Sequence, residues 1–204
     1  MQEAKRELRK SMRMLLKGMN EEDKKKESEA ACSSFMDGFL YSRSDVILLY
    51  MAMNTEINPY EIMKKALKDN KTVAVPKIKS GTELMDFYVL DGRISLARQF
   101  SVGSFGIIEP DENVCRRFSF EEHPAGKITM ILPGLAFTKD GKRLGHGKGF
   151  YDIYLSEVPK EADLILAGFC FDCQIVQDIP TESHDVLMDY VVTPTHFFES
   201  TERT

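Results

Sequence analysis

Residues 46–75, VILLYMAMNTEINPYEIMKKALKDNKTVAV, decide the class of the fold. Val46-Ile47-Leu48-Leu49-Tyr50-Met51 is an unbroken apolar run, the pattern of a strand buried on both faces. Asn58-Pro59 then supplies a cap and a proline where a helix begins, and the helical pattern runs to Lys68. Asp69-Asn70 stops it, and Thr72-Val73-Ala74-Val75 is a second strand. Strand, helix and strand in this order form the right-handed crossover of a parallel sheet. Such sheets bind ligands at the carboxyl ends of their strands. Met53-Asn54-Thr55-Glu56 lies at that end of the first strand, so Glu56 is either a ligand contact or an exposed loop acid.

Outward from this unit, residues 2–17 form a helix with Leu8, Met12, Leu15 and Leu16 on one side. Lys5 and Arg9, four apart, share another face of it. Asn20 caps a second helix, acidic in its first turn, that is predicted to run to about Leu40 on the outside of the molecule. Strands are predicted over residues 84–89, 128–132, 164–169 and 189–193. A helix is predicted over residues 150–157 and a helical turn over residues 174–176. Residues 93–122, punctuated by Gly103, Gly106 and Pro110, read as a long functional loop. Without repeats, linker or internal boundary, residues 1–204 read as a single α/β domain, a largely parallel sheet between helices.

Composition narrows the function. The net charge of −5 is uneven: residues 1–17 carry six Lys/Arg against Glu3 and Glu7, leaving that segment at +4 and the rest at −9. An acidic body argues against nucleic-acid binding, and a basic first helix fits either a local anionic ligand or a solvated face. No apolar run is long enough to span a membrane, and the charged start has no signal-peptide core, so a cytoplasmic protein is expected. Cys32, Cys115, Cys170 and Cys173 are too scattered for a disulfide framework. Cys170-Phe171-Asp172-Cys173 lacks the second ligand pair of a zinc site, and packed, reduced thiols are expected.

The chemistry concentrates in residues 131–155, ILPGLAFTKDGKRLGHGKGFYDIYL. Gly145, Gly147 and Gly149 alternate with His146 and Lys148, follow Arg143 and Leu144, and run into the helix beginning at Phe150-Tyr151-Asp152. A Walker A loop needs Ser or Thr after its lysine, and Lys148 precedes Gly149. A Rossmann fingerprint needs glycine where Phe150 stands. What remains is a glycine-lined approach to a helix start with an arginine and a lysine, which suits phosphate oxygens, or else a lysine-rich surface turn. Asp152 is a Mg²⁺ ligand or a partner for the helix dipole, and Asp185 a second carboxylate or an Asx-turn residue. His146 and His184 adjoin no Ser or Cys nucleophile signature, so a hydrolase triad is unsupported.

Arg143-Leu144-Gly145-x-Gly147-Lys148-Gly149-Phe150-Tyr151-Asp152, preceded by Pro133-Gly134-x-Ala136-Phe137, resembles the signature of the 5-formyltetrahydrofolate cyclo-ligase family. Lys5-x-x-Leu8-Arg9, Glu56, and Pro180-x-x-x-His184-Asp185 followed by Asp189 and Thr193 extend the resemblance over nearly the whole chain. The resemblance implies a single-domain three-layer sandwich of the NagB/RpiA/CoA-transferase-like kind. It also implies ATP- and Mg²⁺-dependent conversion of 5-formyltetrahydrofolate, with or without a polyglutamate tail, to 5,10-methenyltetrahydrofolate by a monomer without nucleic-acid or membrane partners. By that resemblance Lys5, Arg9 and residues 143–151 bind ATP, with Arg143, Lys148 and Tyr151 catalytic. Asp152 and Asp185 bind Mg²⁺; Met51, Glu56 and Tyr151 contact the folate; and Phe105 stands where an aromatic often lies near the nucleotide. Two positions depart from the family pattern. His146 replaces a frequent Arg or Tyr, so a phosphate contact there would depend on pH, and Phe150 replaces a frequent Tyr. A non-catalytic nucleotide- or folate-binding module and a sugar-phosphate isomerase are the competing readings.

Overall fold

A computed structural model describes residues 1–103, 108–123, 125–182 and 185–200. The elements are α1 (Gln2–Gly18), α2 (Glu21–Asp37), α3 (Phe39–Arg43), β1 (Val46–Leu48), α4 (Tyr60–Lys68), β2 (Thr72–Ile78) and β3 (Met85–Val89). They continue with α5 (Leu96–Gln99), β4 (Phe100–Val102), β5 (Ile108–Pro110), β6 (Arg116–Arg117), β7 (Ile128–Leu132), β8 (Ala136–Phe137) and β9 (Arg143–Leu144). The chain ends with α6 (Phe150–Ser156), β10 (Leu164–Phe169), β11 (Tyr190–Val192) and β12 (Phe197–Glu199).

One eight-stranded sheet has the order β12-β11-β10-β7-β1-β2-β3-β6. β1 pairs in parallel with β2 and β7, and β10 pairs in parallel with β7 and β11. Antiparallel β12 lies at one edge, and β3 and β6 at the other, so the sheet is parallel where it is buried. Alternate residues serve opposite faces. Ile47, Val73, Val75, Ile131 and Phe169 pack with Met12, Leu16, Phe35 and Ile62 of the N-terminal helices. Val46, Leu48, Ala74, Met130 and Leu166 pack with Phe137, Tyr154 and Met188 on the other side. This is a sheet between two helical layers, as the residues 46–75 unit requires.

Several elements differ from the sequence reading. The second helix does not reach Leu40: α2 stops at Asp37, where Gly38 turns extended (φ −87°, ψ 169°) and α3 restarts. Gly38 N–H donates to Phe35 O at 3.1 Å, and glycine's low helix propensity makes this the point of breakage. The first strand ends at Leu48; Leu49 and Tyr50 stay buried beyond it, and Leu49 N–H still donates to Ala74 O of β2 at 2.9 Å. Residues 93–122 are not one long loop. They hold α5, the β4–β5 hairpin and edge strand β6, elements too short to carry a period. The helical turn falls at Asp172–Gln174, slightly earlier than expected. Leu15 is 46% exposed, whereas Met12 and Leu16 are buried. Cys173 lies on the surface; Cys32, Cys115 and Cys170 are the packed thiols.

Phe137 holds the segment after β7 against the sheet. Its ring is fully buried and lies so close to two glycines that a Cβ on Gly168 would be 2.5 Å from Cε1, and one on Gly134 2.8 Å from Cζ. A ring gripped from both sides cannot yield. Gly168→Ala is therefore expected to cost about 1–3 kcal/mol by overpacking, read from urea unfolding; a wild-type midpoint would refute this account of the wedge.

Candidate active site

The central strands end in a crevice because the chain leaves β1 for β2 on one side and returns to β7 on the other. Open α/β sheets bind ligands at such a reversal. A cavity of about 540 Å³ opens there. Met51 and Glu56 line it from the segment after β1, Pro133 from the end of β7, and residues 143–152 from β9 through the start of α6. Lys5 and Arg9 of α1 and Asp185 from the segment before β11 complete it. All the site residues proposed from sequence that lie among the described residues therefore meet in one place. Phe105 and His184 lie outside the described residues.

The glycine-rich loop is shaped by a hairpin and held by the first helix. β8 and β9 pair antiparallel, and Leu135 N–H donates to Leu144 O at 2.7 Å. Gln174, buried under the turn, donates through Nε2 to Gly134 O at 2.7 Å and to Leu135 O at 3.1 Å. Beyond β9, Gly147 (φ 102°) and Gly149 (φ 72°) adopt left-handed backbone that only glycine takes without strain. Arg9 Nε donates to Gly145 O at 3.0 Å, and Arg13 Nη2 donates to His146 O at 3.0 Å. Lys148 is exposed on this loop and makes no ion pair with a described residue.

Charged groups face one another across the cavity. Lys5, 7% exposed, places Nζ 2.6 Å from Asp185 Oδ2 and 3.4 Å from Glu182 Oε2. Arg143 Nη2 donates to Asp152 Oδ1 at 2.8 Å and its guanidinium lies 5.7 Å from the centre of the Tyr151 ring. Arg143 Nε, although buried, has no hydrogen-bond partner. His146 Nε2 lies 3.1 Å from Glu56 Oε1, while Met53 N–H donates to Glu56 Oε2 at 2.9 Å. Burial, reinforced by the charge of Glu56, pushes the Tyr151 hydroxyl far above the ordinary phenol range, against a smaller opposing effect of Arg143. Tyr50 is shifted up for the same reasons, burial first and Glu56 second. Both phenols therefore remain protonated hydrogen-bond donors across the physiological range.

Sequence reasoning missed Gln2, Tyr50, Glu109 and Glu182, which also line the cavity. Glu182 carried a signal, an acid three residues before Asp185 in the same loop. Glu109 carried only a faint one, a charge between Ile108 and Pro110 in a segment taken for a loop.

Among the described residues no cluster of three His, Cys, Asp or Glu forms a closed metal cage. Asp152 and Asp185 share the cavity wall, each already facing a cation. Two carboxylates fit a Mg²⁺ that takes its remaining ligands from phosphate oxygens and water.

A family model described as the 5-formyltetrahydrofolate cyclo-ligase family matches residues 1–194. The chain is 30% identical over 192 residues to a mouse 5-formyltetrahydrofolate cyclo-ligase, covering 93% of each chain. It is 33% identical over 147 residues to the Haemophilus influenzae protein of that name, covering 72% of this chain and 74% of the other. The solution structure of Aquifex aeolicus 5,10-methenyltetrahydrofolate synthetase superposes with a TM-score of 0.79 at 27% identity, covering 98% of this chain and 94% of that one. A Mycoplasma pneumoniae 5,10-methenyltetrahydrofolate synthetase shares the fold at a TM-score of 0.69 and 21% identity, covering 93% of this chain and 98% of that one.

The clamp of α1 on the loop gives a direct test. Arg9→Ala removes a charged hydrogen bond worth ~1 kcal/mol once discounted for partial exposure, so amide exchange across residues 145–149 should speed up about fivefold. Unchanged exchange would show that the loop holds its shape without the helix.

Proposed function

The chain belongs to the 5-formyltetrahydrofolate cyclo-ligase family, and from that premise we propose how its cavity performs the family reaction. The enzyme uses ATP to convert 5-formyltetrahydrofolate to 5,10-methenyltetrahydrofolate, releasing ADP and phosphate. The observation that carries the assignment of residues is a single cavity shared by the glycine-rich loop, the cations of α1 and Glu56.

The formyl oxygen is a poor leaving group until it is phosphorylated. It attacks the γ-phosphorus and ADP departs with the electrons of the broken P–O bond. N10 then attacks the formyl carbon, the ring closes, N10 loses its proton, and phosphate leaves with the former formyl oxygen. Neither step needs a protein nucleophile. What such chemistry needs is positioning and neutralisation of developing charge.

Residues 145–149 supply backbone that phosphates can approach, and Lys5, Arg9, Arg143 and Lys148 supply positive charge around it. Leu144, Phe150 and Tyr151 flank the nucleotide, with the Arg143 guanidinium over the Tyr151 ring. Met51, Glu56 and the protonated Tyr151 hydroxyl face the folate. Asp152 and Asp185 would hold Mg²⁺, which in that position neutralises phosphate charge. His146 belongs to the same nucleotide loop in this reading, and its ring, which meets Glu56, would also reach the folate side.

Residues 1–204 act as one cyclo-ligase domain in this reading, supported by the eight-stranded sheet that joins β1 near the start of the chain to β12 near its end. No described helix is long and apolar enough to cross a membrane, and the four cysteines are free thiols. A reducing, cytoplasmic setting and a monomer acting on the free or polyglutamated folate fit these features.

The test is spectroscopic. Wild-type protein with MgATP and 5-formyltetrahydrofolate should develop the near-ultraviolet absorbance of the methenyl product. Lys148→Ala and Arg143→Ala should lower kcat/KM by about 10²–10³, with Lys148, which is exposed, leaving stability unchanged. Wild-type turnover in both variants would overturn the assigned cradle. Ligand binding without any absorbance change in the wild type would favour a non-catalytic module.

A further inference from the structure

Part of the cavity wall is formed by Pro76 and Ile78 of β2, Met85 of β3 and Glu109 of β5. Glu109 is only 5% exposed, and it makes no hydrogen bond or ion pair with a described residue. A carboxylate buried in this way is costly unless a donor reaches it, and native structures rarely leave one unmatched. Its exposed remnant faces the cavity, so the donor has to come from whatever fills the cavity.

Its position is set by an absence of side chain. A Cβ on Gly103 would lie 2.0 Å from Glu109 Oε2, so the carboxylate rests directly over the bare backbone of the opposing β4–β5 segment. Glu56 presents the contrast. One of its oxygens accepts from Met53 N–H and the other meets His146 Nε2, so the protein already supplies a partner to each. Two buried carboxylates thus share the cavity, one matched by protein groups and one without them.

We infer that Glu109 is a substrate-positioning carboxylate that accepts hydrogen bonds from the adjacent N3–H and 2-amino donors of the folate's pteridine ring. This rests on the cyclo-ligase reading above. Phosphates and the glutamate tail are anions and would be repelled. Adenine offers a single amino group, whereas the pteridine edge offers two parallel donors, the match for the two oxygens of a carboxylate. Pro76, Ile78 and Met85 provide the apolar surroundings that a flat ring needs.

The experiment compares wild type, Glu109→Gln, Glu109→Ala and Gly103→Ala. Each is first checked by thermal melting, then assayed for KM towards 5-formyltetrahydrofolate and towards ATP. All three variants should raise the folate KM by about 10- to 100-fold and leave the ATP KM within about twofold. Gly103→Ala keeps the carboxylate but displaces it, so it stands in for the others should loss of Glu109 impair folding. Binding of the folate, and of an analogue lacking the 2-amino group, is measured by calorimetry without ATP. Wild type should bind the analogue more weakly by a similar factor, and Glu109→Ala should bind both alike. An unchanged folate KM, a rise in ATP KM instead, or undiminished discrimination by Glu109→Ala would each overturn the inference. Absent turnover in the wild type would refute the cyclo-ligase reading instead, and the calorimetric comparison would still decide whether Glu109 meets the ring.

Discussion

The contact on which this site depends is the grip of the first helix on the glycine-rich loop. Gly145, Gly147 and Gly149 bring no side chains to pack, so the loop cannot be held by a hydrophobic anchor of its own. Arg9 and Arg13 take two of its carbonyl oxygens, at 3.0 Å each, from 136 and 133 residues away in the chain. The helix that reaches across is fixed in turn by Met12 and Leu16, both in the core. Apolar burial on one face of α1 therefore stabilises a polar cradle on another, and the basic charge of residues 1–17 has a local use.

The same economy appears inside the cavity, where several of the charges are matched before any ligand arrives. Lys5 sits against Asp185 and Glu182, and Arg143 against Asp152. These groups are partly or largely buried, where an unpaired charge is destabilising. In the function proposed above, a MgATP complex would bring both signs of charge and exchange partners with these pairs. Pairing across His146 and Glu56 links the glycine-rich loop to the segment after β1.

Motifs that are continuous in sequence were legible because their physics is local. Largely apolar runs announced β7 and β10 with the right bounds, and glycine spacing before an aromatic segment announced the start of α6. Residues 93–122 were illegible because a hairpin of three-residue strands and a two-residue edge strand have no period to detect. Glu109 was lost with them. Gly38 breaks the second helix short of Leu40, where the reading rested on the Asn20 cap and the acidic first turn at the other end of the helix.

The family resemblance proposed which residues meet phosphate, metal and folate; by itself, the sequence determined the α/β class, the parallel order implied by strand, helix and strand, and a glycine-lined helix start that carries an arginine and a lysine. Those properties follow from local periodicity and from side-chain chemistry. Only the tertiary structure decided which of these residues share a cavity and how each is paired. Arg9 on Gly145 and Lys5 on Asp185 join segments at opposite ends of the chain, His146 turns to Glu56, and Glu109 faces the cavity without a protein partner. Pairing of that kind is fixed by burial and by distances between segments far apart in sequence, and no local pattern encodes it.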